Sequence, residues 1–362
     1  MTRRQWRIDA ASRLMAAIGD GREARGTSRA VFLPGYEKTD ALRESAILLR
    51  FCLGLEPADL VRDPDAELSD EENRLLDACL DRRCTSEPMA YITGSREFYG
   101  RGFTVARSTL IPRPDTETLA DEAIRFLKKK RSESPGHMPA ILDLGTGSGC
   151  IAVTLLAEIP DAVAVGVDID KSALAVAELN ARRLLGRMET DDDPMQAKTA
   201  SAPASGSENE SAGRAKRFIT VCGDMTMGSF ITGLARRFGR FDLVVSNPPY
   251  VTENEFALLS PDVRCFEPKA ALVSAAEAKY DGCRHIAAVI RAAAVLLKPG
   301  GMVALEHGYA QGQAVRAMLS GEMWRGCETV RDLSGLERCT TAVFSPSAKN
   351  SQEHAEERSP CK

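Results

Sequence analysis

The segment Ala140-Ile141-Leu142-Asp143-Leu144, then Gly145-Thr146-Gly147-Ser148-Gly149, then the apolar run Cys150–Glu158 leaves few folds open. A short run of branched apolar residues reads as a strand covered on both faces, and the run after the glycines has the length and composition of a helix. Glycines at alternate positions let the backbone turn sharply at the junction and let a ligand approach it closely. The first N–H groups of the helix lack intrahelical acceptors and are offered to a carboxylate or phosphate. The spacing is G-x-G-x-G. A dinucleotide fingerprint would need glycine or alanine at position 150, where Cys150 stands, which counts against a nicotinamide cofactor. Residues 163–169 read as the next strand and 172–185 as its helix. Asp168, 23 residues beyond Gly145, closes that strand, where an acidic side chain reaches ribose hydroxyls in such folds. Loop, strand context and Asp168 together point to an adenosine-containing ligand.

The alternation continues. Residues 218–222 and 241–246 read as strands. Residues 281–297 read as a helix stopped by Lys298-Pro299-Gly300-Gly301, and 302–306 as a strand. Residues 328–333 and 338–344 read as an edge hairpin around Ser334-Gly335. Strands alternating with helices imply an α/β, doubly wound, mostly parallel sheet with an antiparallel edge. The N-terminal part differs. Apolar residues recur at helical spacing in Trp6, Ile8, Leu14, Met15 and Ile18, and again in Leu42, Ile47, Leu48, Phe51 and Leu55. Ser69 with Glu72 forms a capping-box signature for a third helix. The expected organisation is an all-helical domain over 1–85, a hairpin linker over 86–112 carrying Tyr91-Ile92, Phe98-Tyr99 and Phe103-Thr104-Val105, and a catalytic domain over 113–345. Residues 19–39 read as a Gly- and Arg-rich loop, 188–216 as a disordered insertion and 346–362 as a disordered tail.

Ser246-Asn247-Pro248-Pro249-Tyr250 closes the fourth strand of the α/β region. It therefore falls at the carboxyl end of the sheet, where α/β ligands bind. Two prolines fix the backbone and remove two N–H donors. What remains is a pair of acceptors, the Asn247 side-chain oxygen and the Pro248 carbonyl, which suits an NH2 group whose lone pair is to be steered towards an electrophile. Tyr250 offers a flat face for a planar amide or base. The chemistry this suits is in-line methyl transfer from a sulfonium to nitrogen, carried by positioning and desolvation.

Composition removes several classes. The net charge is -4 and the pI about 5.8, so no global positive field draws in nucleic acid. The run Lys128-Lys129-Lys130-Arg131 reads as the cationic end of a helix. Ten cysteines contain no C-x-x-C, and four dispersed histidines show no metal spacing, so no metal site is expected. Cys150 and Cys222 read as small core residues in a reducing compartment. Residues 286–297 are interrupted by Arg291 and too short to span a bilayer. A cytoplasmic protein with no membrane association is the expectation.

Across about residues 4–345 the chain resembles the bacterial peptide chain release factor N5-glutamine methyltransferases. The resemblance is carried by Glu87-Pro88-Met89-Ala90-Tyr91-Ile92-Thr93-Gly94, by Arg96-Glu97-Phe98-Tyr99-Gly100 and by Leu110-Ile111-Pro112-Arg113-Pro114-Asp115-Thr116-Glu117. The glycine loop, the tetrapeptide, Phe266-Glu267-Pro268 with Ala271-Leu272, and Leu305-Glu306-His307-Gly308 follow in family order. It implies a class I S-adenosylmethionine methyltransferase fold with a helical N-terminal domain that docks class I release factors. It implies S-adenosylmethionine as cofactor and, as substrate, the glutamine of a Gly-Gly-Gln motif, with no direct nucleic-acid binding. Gly145, Thr146, Gly147, Ser148 and Gly149 would hold the methionine part, Asp168 the ribose, and Asp224 and Met225 would flank the adenine. Asn247, Pro248, Pro249 and Tyr250 would hold the glutamine amide, with Asn247 also facing the cofactor. Arg113 and Glu117 would line the site entrance. A related enzyme acting on a ribosomal protein carries Ile-Pro-Arg-Ser-Pro instead of the Ile111–Glu117 pattern. The residues by themselves leave open a nucleic-acid methyltransferase acting on an exocyclic amino group, and a non-catalytic adapter.

Overall fold

The computed structural model describes residues 1–19, 33, 35–186 and 217–346. The expected insertion at 188–216, most of the expected loop at 19–39 and all but the first residue of the expected tail lie outside the described residues. The described chain falls into two units. One comprises Met1–Arg96, Val105–Ile111 and Glu253–Lys269, and the other Glu97–Thr104, Pro112–Thr252 and the chain from Ala270 onward.

The first unit is helical. Its elements are α1 (Arg3–Ile18), α2 (Lys38–Leu53), α3 (Pro57–Arg62), α4 (Asp70–Cys84) and α5 (Met89–Thr93). The apolar faces of the long helices bury Trp6, Leu14, Ile18, Leu48, Leu49, Leu76 and Leu80 in one cluster. The capping box forms at α4 as its sequence predicts: Ser69 Oγ accepts from Glu72 N at 3.2 Å, and Glu72 Oε2 accepts from Ser69 N at 2.8 Å. The sequence pattern did not announce a buried ion pair here. Arg83 grips Glu44 with two bonds of 2.8 and 3.0 Å, and Tyr36 Oη donates to the same carboxylate at 2.7 Å. A planar guanidinium matches a carboxylate in this two-bond arrangement, which lets the charges be buried with their valences filled. Glu87, the first residue of the Glu-Pro-Met-Ala-Tyr run, accepts from Arg82 at 2.9 Å and from Arg107 at 3.0 Å.

Two expectations over 86–112 are corrected. Tyr91-Ile92 belongs to the short helix α5, not to a strand, and Gly94 ends that helix in the left-handed region at φ 70°. The hairpin is confined to β1 (Ser95–Phe98) and β2 (Arg101–Thr104). Its two turn residues, Tyr99 and Gly100, both have positive φ, the geometry whose twist matches paired strands.

In the second unit a 3-10 turn, Pro114–Thr116, leads into α6 (Glu117–Glu133). Then follow β3 (Ala140–Leu144), α7 (Cys150–Glu158), β4 (Val163–Asp168), α8 (Lys171–Leu185), β5 (Phe218–Cys222), α9 (Gly228–Phe238) and β6 (Phe241–Ser246). The short helices α10 (Glu253–Leu258) and α11 (Pro261–Phe266) belong to the first unit; after them come α12 (Lys269–Leu272), α13 (Arg284–Leu296), β7 (Leu297–Glu306), α14 (Gly312–Met318), β8 (Trp324–Arg331) and β9 (Glu337–Phe344). The seven strands β3–β9 form one sheet in the order β5-β4-β3-β6-β7-β9-β8. The first five are parallel, and β9 runs antiparallel to both β7 and β8. This is a class I methyltransferase fold. Separate apolar clusters cover the two faces of the sheet, which is why β6 is buried along its whole length.

The expected stop at Lys298-Pro299-Gly300-Gly301 holds for the helix, but the strand expected over 302–306 is corrected. It begins at Leu297 and runs through the stop. Pairing with β6 jumps from Phe241↔Leu297 to Leu243↔Met302, so the Pro-Gly-Gly residues are taken up as a bulge. The cationic run at the end of α6 is paired with acids: Lys130 lies 3.2 Å from Asp242, Lys128 3.9 Å from Glu158 and Lys129 3.9 Å from Glu133. Arg131 pairs with Asp161. Cys222 is exposed rather than a core residue, because it ends the edge strand β5. Among the described residues no helix is long and apolar enough to cross a membrane, and no cluster of side chains could hold a metal ion.

Candidate active site

Chain order and sheet order diverge at β3. Its neighbour on one side is β4 and on the other β6, so the carboxyl edge beside β3 is the topological switch point at which open α/β sheets bind their ligands. The glycine loop leaves β3 there and Asn247-Pro248-Pro249-Tyr250 leaves β6. Ser246 Oγ donates to Leu144 O at 2.6 Å and ties the two strand ends together. A side chain added at Gly145 would lie 3.9 Å from the Asn247 carbonyl oxygen, a measure of how closely loop and tetrapeptide approach.

Gly145, Gly147 and Gly149 all take positive φ, at 78°, 54° and 77°. Alternate left-handed residues curl the loop, and only glycine adopts them without strain. Thr146 Oγ1 donates to Asp143 Oδ2 at 2.7 Å beneath it, and both residues are buried. Burial pushes the Asp143 carboxyl up to about 7 against the pull of that hydrogen bond. Ser148 is buried, and its carbonyl accepts from Asn180 Nδ2 at 2.9 Å, which pins the loop to α8.

Asp168 sits at the end of β4, half-buried. Its Oδ2 accepts from Gly147 N at 2.9 Å and its Oδ1 from Asp170 N at 3.0 Å. Burial raises its pKa, opposed by those main-chain donors. Each oxygen keeps a lone pair, so the carboxylate still has room for a pair of hydroxyls. Asp224 follows β5 and accepts from Thr226 N and Oγ1 at 2.8 and 2.7 Å. Burial works the other way, but these donors hold its carboxyl below the usual range. Met225 reaches the loop: its Cε lies 3.4 Å from where a Gly145 side chain would begin. Loop, Asp168, Asp224 and Met225 thus gather at one edge of the sheet, and acids, a thioether and a glycine loop open at Gly147 are a lining that an adenosine carrying an amino-acid tail would fit.

On the β6 side, Asn247 and Tyr250 are half-buried, whereas Pro248 and Pro249 are buried. Asn247 Nδ2 donates to Thr116 Oγ1 at 3.1 Å, and Tyr250 Oη donates to Glu306 Oε1 at 3.1 Å. Burial and then the Glu306 charge push the Tyr250 phenol far up, so it stays protonated. The Tyr250 carbonyl accepts from Gln311 Nε2 at 3.0 Å. Arg113 is near enough for its charge to act on Tyr250. Glu117, expected at the entrance, turns elsewhere: its carboxylate accepts from Tyr99 N at 2.8 Å and holds the hairpin turn. The patterns gave Glu306 and Gln311 no role. Glu306 could have been flagged as an acidic residue ending a buried strand, but its proximity to Tyr250 depends on the pairing of β6 with β7.

Two family models match the chain, the PrmC N-terminal domain over residues 31–94 and the methyltransferase small domain over 117–201. A release factor glutamine methyltransferase of Nitratidesulfovibrio vulgaris is 38% identical over 304 residues, covering 83% of this chain and 88% of that one. The chain belongs to the release factor glutamine methyltransferase family. Members from Haemophilus influenzae, with 35% identity over 85% of this chain and 91% of theirs, and from Salmonella typhimurium, with 35% over 84% and 92%, agree. As a member of that family the chain is an S-adenosylmethionine-dependent methyltransferase, and the matches to its relatives run over nearly their whole length.

Proposed function

We propose that this methyltransferase modifies the side-chain amide nitrogen of the glutamine in the Gly-Gly-Gln motif of class I peptide chain release factors. The supporting observation is the juxtaposition across β3 and β6 of a glycine loop and the Asn247-Pro248-Pro249-Tyr250 exit, whose two prolines carry no N–H donor, in a chain of this family. Bound S-adenosylmethionine supplies a methyl group on a positively charged sulfur. Gly145, Thr146, Gly147, Ser148 and Gly149 hold its amino-acid part through main-chain groups, Asp168 takes the ribose hydroxyls, and Asp224 and Met225 take the two sides of the adenine, a thioether being well suited to a ring face. Asn247 Oδ1 and the Pro248 carbonyl each accept one N–H of the glutamine amide. Pro249 stiffens the exit, and the Tyr250 ring covers the flat face of the amide. Arg113 borders the approach to Tyr250. No general base would be needed before attack: as the new N–C bond forms the S–C bond would break to leave a neutral thioether, and the amide proton would then pass to water.

Residues 1–85 serve as the docking domain for the release factor, a role supported by exposed apolar side chains at Ile8, Phe51, Val61 and Leu75 in the helical unit. The catalytic domain comprises residues 113–345. Such a substrate places the protein in the cytoplasm.

The test is incubation with S-adenosylmethionine and a purified class I release factor, followed by mass-spectrometric sequencing of the Gly-Gly-Gln peptide. One added methyl on that glutamine is expected. An unmodified peptide, with cofactor binding demonstrated by calorimetry, overturns the substrate assignment and moves the search to a ribosomal protein and then to nucleic acid.

A further inference from the structure

Gln311, half-buried at the head of α14, has a side-chain amide whose two ends share a shape and differ in polarity. Its partners leave no choice of orientation, because all three are main-chain groups of a single polarity. Gly308 N can only donate, and Gln311 Oε1 accepts from it at 2.9 Å. The carbonyls of Tyr250 and Asp281 can only accept, and Gln311 Nε2 donates to them at 3.0 and 3.3 Å. The main chain of Gln311 is fixed as well: its N donates to Gly308 O at 2.8 Å, and its O accepts from Val315 N at 3.0 Å within α14. One amide, rooted on a helix, thus joins the exit of β6 at Tyr250, the exit of β7 at Gly308 and the stretch before α13 at Asp281. The fit is close. A side chain at Gly282, where φ is 67°, would begin 2.5 Å from Tyr250 O and 2.7 Å from Gln311 Nε2. One at Gly308 would begin 3.1 Å from Gln311 Oε1 and 3.6 Å from Tyr250 Cδ2.

Tyr250 is therefore held at both ends by the segment that leaves β7. Its phenol donates to Glu306 Oε1 at 3.1 Å, and its carbonyl accepts from Gln311. The residue after it is sewn to another segment, with Val251 N donating to Leu272 O and Val251 O accepting from Ser274 N, both at 2.9 Å. We infer that Gln311 is a positioning residue for methyl transfer: through the Tyr250 carbonyl it sets where the Tyr250 ring stands over the substrate amide. The inference rests on the reading above that Tyr250 covers that amide. A flat ring restrains a flat amide only in van der Waals contact with it, and reactivity falls steeply when the nitrogen leaves its line with the methyl group. Loss of the Nε2 donor leaves the phenol tied to Glu306 and frees the main-chain end, so the ring can swing about its hydroxyl and lose that contact.

The experiment compares wild type, Gln311→Met, Gln311→Glu, Tyr250→Ala and the Gln311→Met/Tyr250→Ala pair by steady-state methylation of a purified release factor, with cofactor Kd from calorimetry. Gln311→Met keeps the length and removes both polar ends. It should lower kcat by about 10- to 100-fold, as for a small misplacement of reacting groups, with the KM for release factor and the cofactor Kd unchanged. Gln311→Glu keeps the acceptor for Gly308 N and loses the donor for Tyr250 O, so it should lose at least as much. In the Tyr250→Ala background Gln311→Met should cost nothing further, because the ring it positions is gone. Wild-type kcat in either single variant, a full further loss in the Tyr250→Ala background, or a loss of cofactor affinity that matches the loss of kcat in both variants overturns the inference. Should wild type leave the release factor unmethylated, the substrate reading falls, and the ring decides this inference without substrate. In protein carrying 13C-labelled tyrosine, the signal that vanishes in Tyr250→Ala should shift in Gln311→Met and in Gln311→Glu, and an unmoved signal overturns it.

Discussion

Asn247 has its NH2 group bound to Thr116, and the proposed reaction assigns its oxygen to the substrate amide. Asn247→Ala removes the acceptor while leaving loop and Asp168 in place. A loss of about 10²- to 10³-fold in kcat is expected, the size seen when one preorganised polar group is taken from a transition state. The cofactor Kd from calorimetry should change little, and equal turnover by the variant would remove the acceptor role. Asp168→Ala should do the opposite. It takes away the acceptor of Gly147 N and the carboxylate proposed for the ribose, and hydrogen bonds to a charged group are worth roughly 1.5–3 kcal/mol each. The same calorimetry should show cofactor affinity weakened by about 10- to 100-fold. An unchanged Kd would move the ribose elsewhere.

Elements are joined here at places where a single atom decides the fit. Gly149 heads α7 in the left-handed region, and a side chain there would begin 3.1 Å from Ala177 Cβ and 3.2 Å from Ala177 Cα on α8. The approach of two helices and the turn of the loop therefore make the same demand. Gly149→Ala should lower unfolding free energy by about 2–3 kcal/mol, summing left-handed strain and overpacking. Urea titration measures this, and an unchanged midpoint would show that α8 can yield. Ser69→Ala tests the capping box of α4 in the helical unit. A loss of about 1 kcal/mol is expected, seen as a lower urea midpoint with an unchanged slope.

Acid–base behaviour of the whole molecule is coloured by Asp143, wholly buried in β3 at the centre of the sheet. An unfolded Asp titrates near 3.8, whereas burial pushes Asp143 up to about 7 in the folded chain. Within that window the folded protein holds a proton that the unfolded chain has released. The stability this residue contributes is thus complete below pH 3.8, declines as pH rises, and is lost above about 7. Asp143→Asn keeps an acceptor for Thr146 and removes the titration. Its Tm should fall less than that of wild type between about pH 5 and about pH 8. An identical fall in both proteins would show that Asp143 is ionised throughout.

The sequence by itself determined which segments become strands and helices wherever a run was long enough to show its period. β3, α7, β5 and β6 stand at the residues the pattern predicts, and the N-cap at Ser69 forms as its spacing demands. It also exposed both halves of the candidate site, because a glycine loop and an Asn-Pro-Pro-Tyr exit, each directly after a buried strand, carry their chemistry in residue types read straight from the chain. Six-residue helices such as α3 and α10 were not visible, since fewer than two turns show no period. Nor was the path of β7 through Pro299 and Gly300, where pairing with β6 overrides local breaker chemistry. Tertiary structure alone decided who meets whom. Strand order puts β6 beside β3, brings Glu306 to Tyr250 and Thr116 to Asn247, and turns Glu117 away to the hairpin. Periodicity is a property of neighbours along the chain. Contact between residues more than a hundred positions apart, such as Thr116 and Asn247, is set by how a two-faced sheet buries its apolar sides.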